Sequence, residues 1–131
     1  MGLALILGFL VGLAHAKRYK DNVGYRTYGA VSVGAAAFAA INVYLYLITT
    51  TGDPLINIGG IIEGMGFLCA AIIFKDGNVI RGLSTGATIW ATAAIGTACG
   101  TGLLGVAIGI TIAVLLFHLL PTQLFKTTSE E

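Results

Sequence analysis

The sequence predicts an all-α integral membrane protein built as a bundle of five transmembrane helices. Of its 131 residues, 56% are hydrophobic and 10% are charged, whereas about 25% are charged in soluble domains. The mean hydropathy is +0.92. Apolar runs recur along the whole chain rather than in one anchor, and cations occur only between them or in the tail. We therefore expect residues 1–131 to form a single transmembrane domain with no soluble domain.

Charged and turn residues divide the chain into five apolar segments. Crossing a core of about 30 Å takes about 20 helical residues, with about 17 as a lower limit. The second, third and fifth segments exceed this limit, at 23, 20 and 19 residues. The first and fourth are shorter and would cross where the bilayer thins or the helix ends extend. The predicted spans cover residues 2–16, 28–50, 55–74, 83–99 and 102–120.

The connections between these segments alternate in charge. The connections "TTTGD" and "GTG" contain no cation, while every Lys and Arg falls in the other connections or the tail. The positive-inside rule then places the N-terminus outside and the C-terminus in the cytoplasm of a multi-pass protein of the inner (plasma) membrane. The cations are Lys17, Arg18, Lys20, Arg26, Lys75, Arg81 and Lys126.

The first segment also ends in a small-x-small pattern, Ala14-His15-Ala16, which is typical of a signal-peptidase site. A signal peptide has basic residues before its apolar core, and here they follow it. This order favours a retained helix.

Small residues four positions apart allow membrane helices to approach closely. We expect such contacts to give a tight bundle without a broad internal cavity. The motif leaves open whether each pair serves packing within the chain or a dimer face. The pairs are Gly8/Gly12, Gly60/Gly64, Gly82/Gly86, Gly96/Gly100 and Gly105/Gly109, with a similar stripe at Ser32, Ala36, Ala39 and Ala40.

Glu63 is the one acid placed several residues inside an apolar segment, with Gly59, Gly60, Gly66 and Phe67 one turn away. An ionised group at the bilayer centre costs about 3 kcal/mol or more. We therefore expect Glu63 to point at another helix, either protonated or paired. A proton- or cation-linked site and a neutral hydrogen-bonded clasp both remain open. The predicted intramembrane polar site comprises Glu63, Asn42, Thr85, Thr88 and Thr92, of which Thr88 and Thr92 also suit bonds to their own helix.

Other polar residues favour structural roles. His15 and His118 lie near segment ends, where we expect interfacial positions. Trp90 lies in the middle of a segment, which indicates packing inside the bundle or against a partner. Asp53-Pro54 is a helix-start signal, and Asp76-Gly77-Asn78 is a tight turn. The sequence defines no set of metal ligands, although Asp53 and Glu63 are candidate ligands for a cation.

The block "GMGFLCAAIIFKDGNVIRGLSTGATIW" and the earlier "GYRTYGAVSVGAAAF" resemble the MgtC/SapB family of bacterial and archaeal membrane proteins. Two differences concern polar groups, because Glu63 stands where the family usually has a small residue, and Ala14-His15 stand where it commonly has Glu-Arg. A third motif position, Ser84, stands where one branch of the family has asparagine. The matching positions are Arg26, Thr27, Asp53, Gly64, Gly66, Phe67, Cys69, Arg81, Gly82 and Trp90.

This resemblance implies a small five-helix inner-membrane protein of the short, membrane-only branch. Its implied role is magnesium homeostasis or acid-stress adaptation through regulation of membrane partners such as an ATPase. The alternative is a Mg²⁺ or proton transporter that uses Glu63 and Asp53 in an oligomer. We expect contact with the bilayer, a homo-oligomer such as a dimer, and no cofactor other than Mg²⁺. Enzymatic activity and nucleic-acid binding are not expected, because no catalytic constellation or basic stripe is visible.

Overall fold

The chain forms five helices and one short hairpin. The computed structural model describes residues 1–19, 23–51 and 53–120, so Lys20 and Lys126 lie outside the described residues. The five predicted helices are confirmed as helices. They are α1 (Gly2–Arg18), α2 (Tyr25–Thr49), α3 (Pro54–Ala70), α4 (Leu83–Gly100) and α5 (Leu104–Leu119), with β1 (Phe74–Asp76) and β2 (Val79–Arg81) between α3 and α4.

Helix α2 has the length and composition of a membrane span. It contains 25 residues, and its most apolar window has a mean hydropathy of 1.9. Among the described helices it is the one that meets both conditions, while α3 and α5 contain shorter apolar stretches. Five membrane crossings and their orientation therefore stay a prediction.

The third predicted span ends too late. Helix α3 ends at Ala70, whereas the apolar pattern predicted helix up to residue 74. The Ile72 and Ile73 amides donate to the carbonyls of Cys69 and Ala70, three residues back, which tightens the backbone as it leaves the helix. Apolar residues such as these isoleucines occur in half-buried turns as well as in helices. Composition alone therefore does not locate the end of α3.

The predicted turn after β1 is confirmed. Strands β1 and β2 pair antiparallel with Asp76 opposite Val79, which leaves Gly77 and Asn78 as a two-residue turn. Gly77 has a φ of +62°, a conformation that glycine adopts without steric cost. Arg81 forms an exposed ion pair with Asp76, with Nε 3.1 Å from Oδ2. Such pairs are worth about 0–1 kcal/mol, so we assign this one a minor role.

Helix α4 contacts all four other helices, and helix α2 packs most extensively against α4 and α1. A Cβ added at Gly8 would lie 2.6 Å from the Ser32 Cβ, and one added at Gly12 would lie 2.8 Å from the Tyr25 carbonyl oxygen. On α4, a Cβ at Gly96 would collide with the Ser32 carbonyl. The predicted small-residue contacts are therefore confirmed on both sides of α2.

Two other glycine pairs make no close contact within the chain. A Cβ at Gly60, Gly64, Gly105 or Gly109 would meet nothing within 4 Å. Close approach requires small residues on both helices. Towards α3, helix α2 presents Phe38, Ile41 and Leu45 along with smaller residues. An open cleft of about 760 Å³ separates α2 from α3. The prediction of a tight bundle thus holds for α1, α2 and α4 and is wrong for the α3 side.

Candidate functional site

Glu63 lies exposed on the side of α3 that faces away from the bundle. Met65 packs against the core and Cys69 belongs to it, and at about 100° per residue they lie about 200° and 240° around the helix from Glu63. The prediction that Glu63 points at another helix of this chain is therefore wrong. We call the surface that carries it the outer face of α3, formed by Gly59, Glu63, Gly66, Phe67 and Ala70.

The three predicted threonines lie on the buried side of α4, so the structure does not join them with Glu63 in one site. The Thr88 hydroxyl donates to the Ser84 carbonyl and the Thr92 hydroxyl to the Thr88 carbonyl, both at 2.8 Å. These bonds confirm the expected pairing with their own helix. Thr85 lies apart, with Oγ1 3.2 Å from Nε2 of His15.

Asn42 takes part in a different polar contact. Its Oδ1 accepts a hydrogen bond of 2.5 Å from Nδ2 of Asn57. Asn42 is buried on α2 and Asn57 lies on α3, and both line the cleft between these helices. Sequence reasoning missed Asn57, although it is a second amide in an apolar segment and could have been paired with Asn42 on that basis.

Replacing Asn57 with leucine is expected to destabilise the α2–α3 contact by about 1–3 kcal/mol, because the buried Asn42 amide loses this partner. Replacing both asparagines with leucine should restore much of the loss, since an amide then no longer faces an apolar side chain across the contact. Thermal unfolding of the two single variants and the double variant measures the coupling. Additive losses would contradict a direct contact between the two amides.

His15 and His118 meet in the interior, where α1, α4 and α5 come together. Nδ1 of His15 lies 3.0 Å from Nε2 of His118, and the exposed fractions of the two residues are 0% and 5%. Both side chains are therefore buried between helices, which the sequence analysis did not predict, while their interfacial depth in the membrane stays a prediction. The spacing in the sequence could have indicated the burial of His15, because it continues the buried positions Ala4, Leu7 and Val11 of α1 at helical intervals.

Residues of the predicted family motif fall into buried and exposed groups. Cys69 is buried, and its Sγ donates to the Gly86 carbonyl at 3.2 Å. Gly82 has a φ of +82°, and a side chain there would collide with the Ile72 carbonyl. Phe67 is 82% exposed and Trp90 is 49% exposed. The prediction that Trp90 packs inside the bundle is wrong, and packing against a partner stays a prediction.

The remaining motif residues lie at the ends of elements or along the cleft. Asp53 precedes α3, and its carbonyl accepts from the Ile56 amide, which confirms the predicted helix start. Arg26 is exposed at the start of α2, and Thr27 lines the cleft. Ser84 contributes the carbonyl that pairs with Thr88.

The two acids proposed as cation ligands are far apart along one helix. Ten residues separate Asp53 from Glu63, which corresponds to about 15 Å of helical rise. Metal–oxygen bonds are about 2.0–2.6 Å long, so the two acids of one chain do not bind the same ion. Among residues 1–19, 23–51 and 53–120, no group of three or more His, Cys, Asp or Glu side chains could hold a metal ion.

The fold and these contacts define a small helical bundle with one helix of membrane-spanning length, close glycine contacts and a buried histidine pair. The MgtC family model matches residues 1–127, and the chain belongs to the MgtC family. This confirms the resemblance found in the sequence.

Relatives named Protein MgtC share about two-fifths of their aligned residues with this chain. The protein from Brucella abortus is 40% identical over 112 residues, which cover 86% of this chain and 45% of the relative. The protein from Salmonella typhimurium is 38% identical over 118 residues, which cover 89% and 48%. The chain thus spans less than half the length of these relatives. No solved structure matches it.

Proposed function

We propose that this chain is a multi-pass protein of the inner membrane that acts in magnesium homeostasis or acid-stress adaptation by contacting membrane partners. The role in magnesium and acid stress comes from what the family resemblance implies. The observation that carries the contact is the outer face of α3, which presents the Glu63 carboxyl group beside Gly59 and Gly66 and next to the exposed Phe67 ring. We propose no enzymatic activity for it.

The outer face of α3 needs a covering partner in a bilayer. Glu63 is exposed, and an acid facing lipid near the membrane centre is costly. Gly59 and Gly66 beside it leave open space within 4 Å of where a Cβ would lie, so another helix can approach closely. A second copy of this chain would bring two Glu63 carboxyl groups together, where a protonated carboxyl donates to its neighbour. We therefore propose a homodimer as the basic unit.

Contacts between helix ends support the proposed orientation. Nη2 of Arg18, at the end of α1, donates to the carbonyl of Leu120, after α5, at 2.7 Å. His15, also near the end of α1, lies beside Thr85 at the start of α4. These ends share one side of the bundle, as five alternating crossings require. The 16 or 17 residues of α1, α3 and α5 would cross with local thinning of the bilayer.

The orientation is testable by cysteine labelling in intact cells. In a Cys69→Ser/Cys99→Ala background, we expect Thr51→Cys and Leu103→Cys to react with a membrane-impermeant maleimide. Val23→Cys and Asn78→Cys should react only after permeabilisation, since we place them in the cytoplasm. Labelling of all four positions without permeabilisation would contradict the proposed crossings.

A transporter is the second candidate, because Asp53 and Glu63 are both exposed acids. Hydrated Mg²⁺ prefers several oxygen ligands in an octahedral shell. The spacing of the two acids means that each ion site would need the same acid from several copies. Regulation by contact requires only one helix face and one partner helix. We therefore favour regulation over transport.

A further inference from the structure

The cleft between α2 and α3 extends along most of α2. On this helix its lining begins at Thr27 and ends at Leu45, a distance of about 27 Å at 1.5 Å per residue. The hydrocarbon core of a bilayer is about 30 Å thick. The described residues that line the cleft include no charged side chain, and Phe38 and Leu68 on its two sides are exposed. The cleft is thus apolar over nearly the depth of a membrane.

The cleft is too narrow to hold a helix. A volume of about 760 Å³ spread over about 27 Å gives a mean cross-section of about 28 Å². A helix with its side chains is at least about 10 Å across, which corresponds to roughly 80 Å². An extended hydrocarbon chain carries no side chains and fits a channel of this width. The dimensions therefore match a lipid acyl chain.

Exposed tyrosines mark the depth of α2 in the bilayer. Tyr25 lies at its first turn and Tyr46 near its last, and both side chains are exposed. Their separation along the helix corresponds to about 31 Å. Tyrosine is enriched at both membrane–water interfaces, so this spacing places Tyr25 at one interface. Arg26, the next residue, then lies at the level of the lipid phosphates.

The end of the cleft at this interface carries a cation and a hydroxyl group. Arg26 is exposed and lies one helical turn before Ala30, which lines the cleft, so the two residues share a face of α2. Thr27 lines the cleft itself. A guanidinium group binds phosphate with two parallel hydrogen bonds, and the threonine hydroxyl can donate a third. The charge at this end of the cleft therefore complements an anionic headgroup.

The hairpin after α3 adds positive charge on the same side of the bundle. A short connection joins the end of α2 to the start of α3, so α3 ends on the side where α2 begins. Lys75 lies on β1 of this hairpin and is exposed. Phe74 and Ile80 are exposed as well, and exposed apolar groups of this kind are typical of surfaces that contact a membrane. The hairpin thus suits a position among headgroups.

We propose that the α2–α3 cleft binds an acyl chain of an anionic phospholipid, with the lipid phosphate held at Arg26 and Thr27. The hydrogen bond between Asn57 and Asn42 joins the two helices near the far end of the cleft, so the chain enters from the Arg26 end. The orientation argued above puts this lipid in the cytoplasmic leaflet. The site goes beyond the proposed function, because it uses neither Glu63 nor the outer face of α3.

The test is native mass spectrometry of the full chain in detergent, with phosphatidylglycerol and phosphatidylcholine of identical acyl chains. The wild type should retain one phosphatidylglycerol in preference to phosphatidylcholine. Arg26→Gln should reduce this preference about 5-fold, since one cation near an anionic surface contributes about 1 kcal/mol. Glutamine and arginine have similar helix propensities and the position is exposed, so this variant reports on a folded protein.

A matched pair of leucine variants separates the cleft from the rest of the surface. Gly34 lines the cleft, whereas Gly105 lies on α5 outside it. An added Cβ meets nothing within 4 Å at either position. Gly34→Leu should lose the bound phosphatidylglycerol because its side chain fills the cleft, while Gly105→Leu should retain the lipid as the wild type does.

Three results would overturn the proposal. Equal retention of both lipids by the wild type would show that hydrocarbon fills the cleft without recognition of the headgroup. Equal binding by Gly34→Leu and Gly105→Leu would place the lipid elsewhere on the surface. In a Cys69→Ser/Cys99→Ala background, disulfide-linked dimers through Phe38→Cys without retained lipid would assign the cleft to side chains of a second copy. None of these results bears on contact through the outer face of α3.

Discussion

Alanine at Gly96 or Gly100 is expected to disrupt the centre of the bundle. A Cβ at these positions would collide with the backbone carbonyls of Ser32 and Ala36, and a carbonyl cannot move without shifting α2. Overpacking of this kind costs about 1–3 kcal/mol and sometimes more. Thermal unfolding of the purified variants, together with their yield in the membrane, measures the loss.

Gly105→Ala and Gly109→Ala are the matched controls for this experiment. They make the same change in the neighbouring helix α5, where an added Cβ meets nothing within 4 Å. We expect their Tm to equal or slightly exceed that of the wild type, since alanine favours helix over glycine by about 1 kcal/mol. Equal losses in both pairs of variants would contradict the close α2–α4 contact.

Removing the Glu63 carboxyl is expected to weaken the proposed dimer. In a Cys69→Ser/Cys99→Ala background, Ala70→Cys places a thiol on the outer face of α3 and should give disulfide-linked dimers under mild oxidation. Glu63→Ala should lower the dimerisation constant about 3- to 30-fold, because hydrogen bonds between membrane helices are worth about 0.6–2 kcal/mol. Glu63→Gln should retain most of the dimer, since the amide still donates and accepts.

A cysteine on another exposed helix surface controls for random collision. Ile112 is exposed on α5, so Ile112→Cys should cross-link much less than Ala70→Cys at the same protein-to-lipid ratio. Equal cross-linking at both positions, or a yield that does not respond to Glu63→Ala, would show that the outer face of α3 is not a specific contact.

The helices were predictable because hydropathy and the turn residues are local signals. The contacts of Gly8, Gly96 and Gly100 were also predictable, since these residues lie opposite Ser32 and Ala36 on the small-residue stripe of α2. Gly12 instead lies against Tyr25 and Tyr28, which the stripe did not predict. Gly60 and Gly64 carry the same motif but line a cleft. A motif in one helix does not specify the residues that the facing helix presents.

The candidate site was less predictable because it depends on contacts between distant segments. The bond between His15 and His118 joins positions 103 residues apart, and neither has a second ligand-type residue nearby in the sequence. For Glu63, the expectation of an inward position assumed that glycines always face the bundle. The buried side of α3 is instead set by Met65 and Cys69, and Ile72 continues the contact with the core after the helix ends.

Ion flux into liposomes tests the central claim that the protein acts by contacting partners and not by transport. We predict that liposomes containing the purified wild-type protein show the same Mg²⁺ and proton flux as empty liposomes, with Glu63→Gln giving the same result. Folding is verified in each case by the thermal transition. Flux in the wild type that is lost in Glu63→Gln would contradict the claim and place the Glu63 carboxyl in an ion pathway.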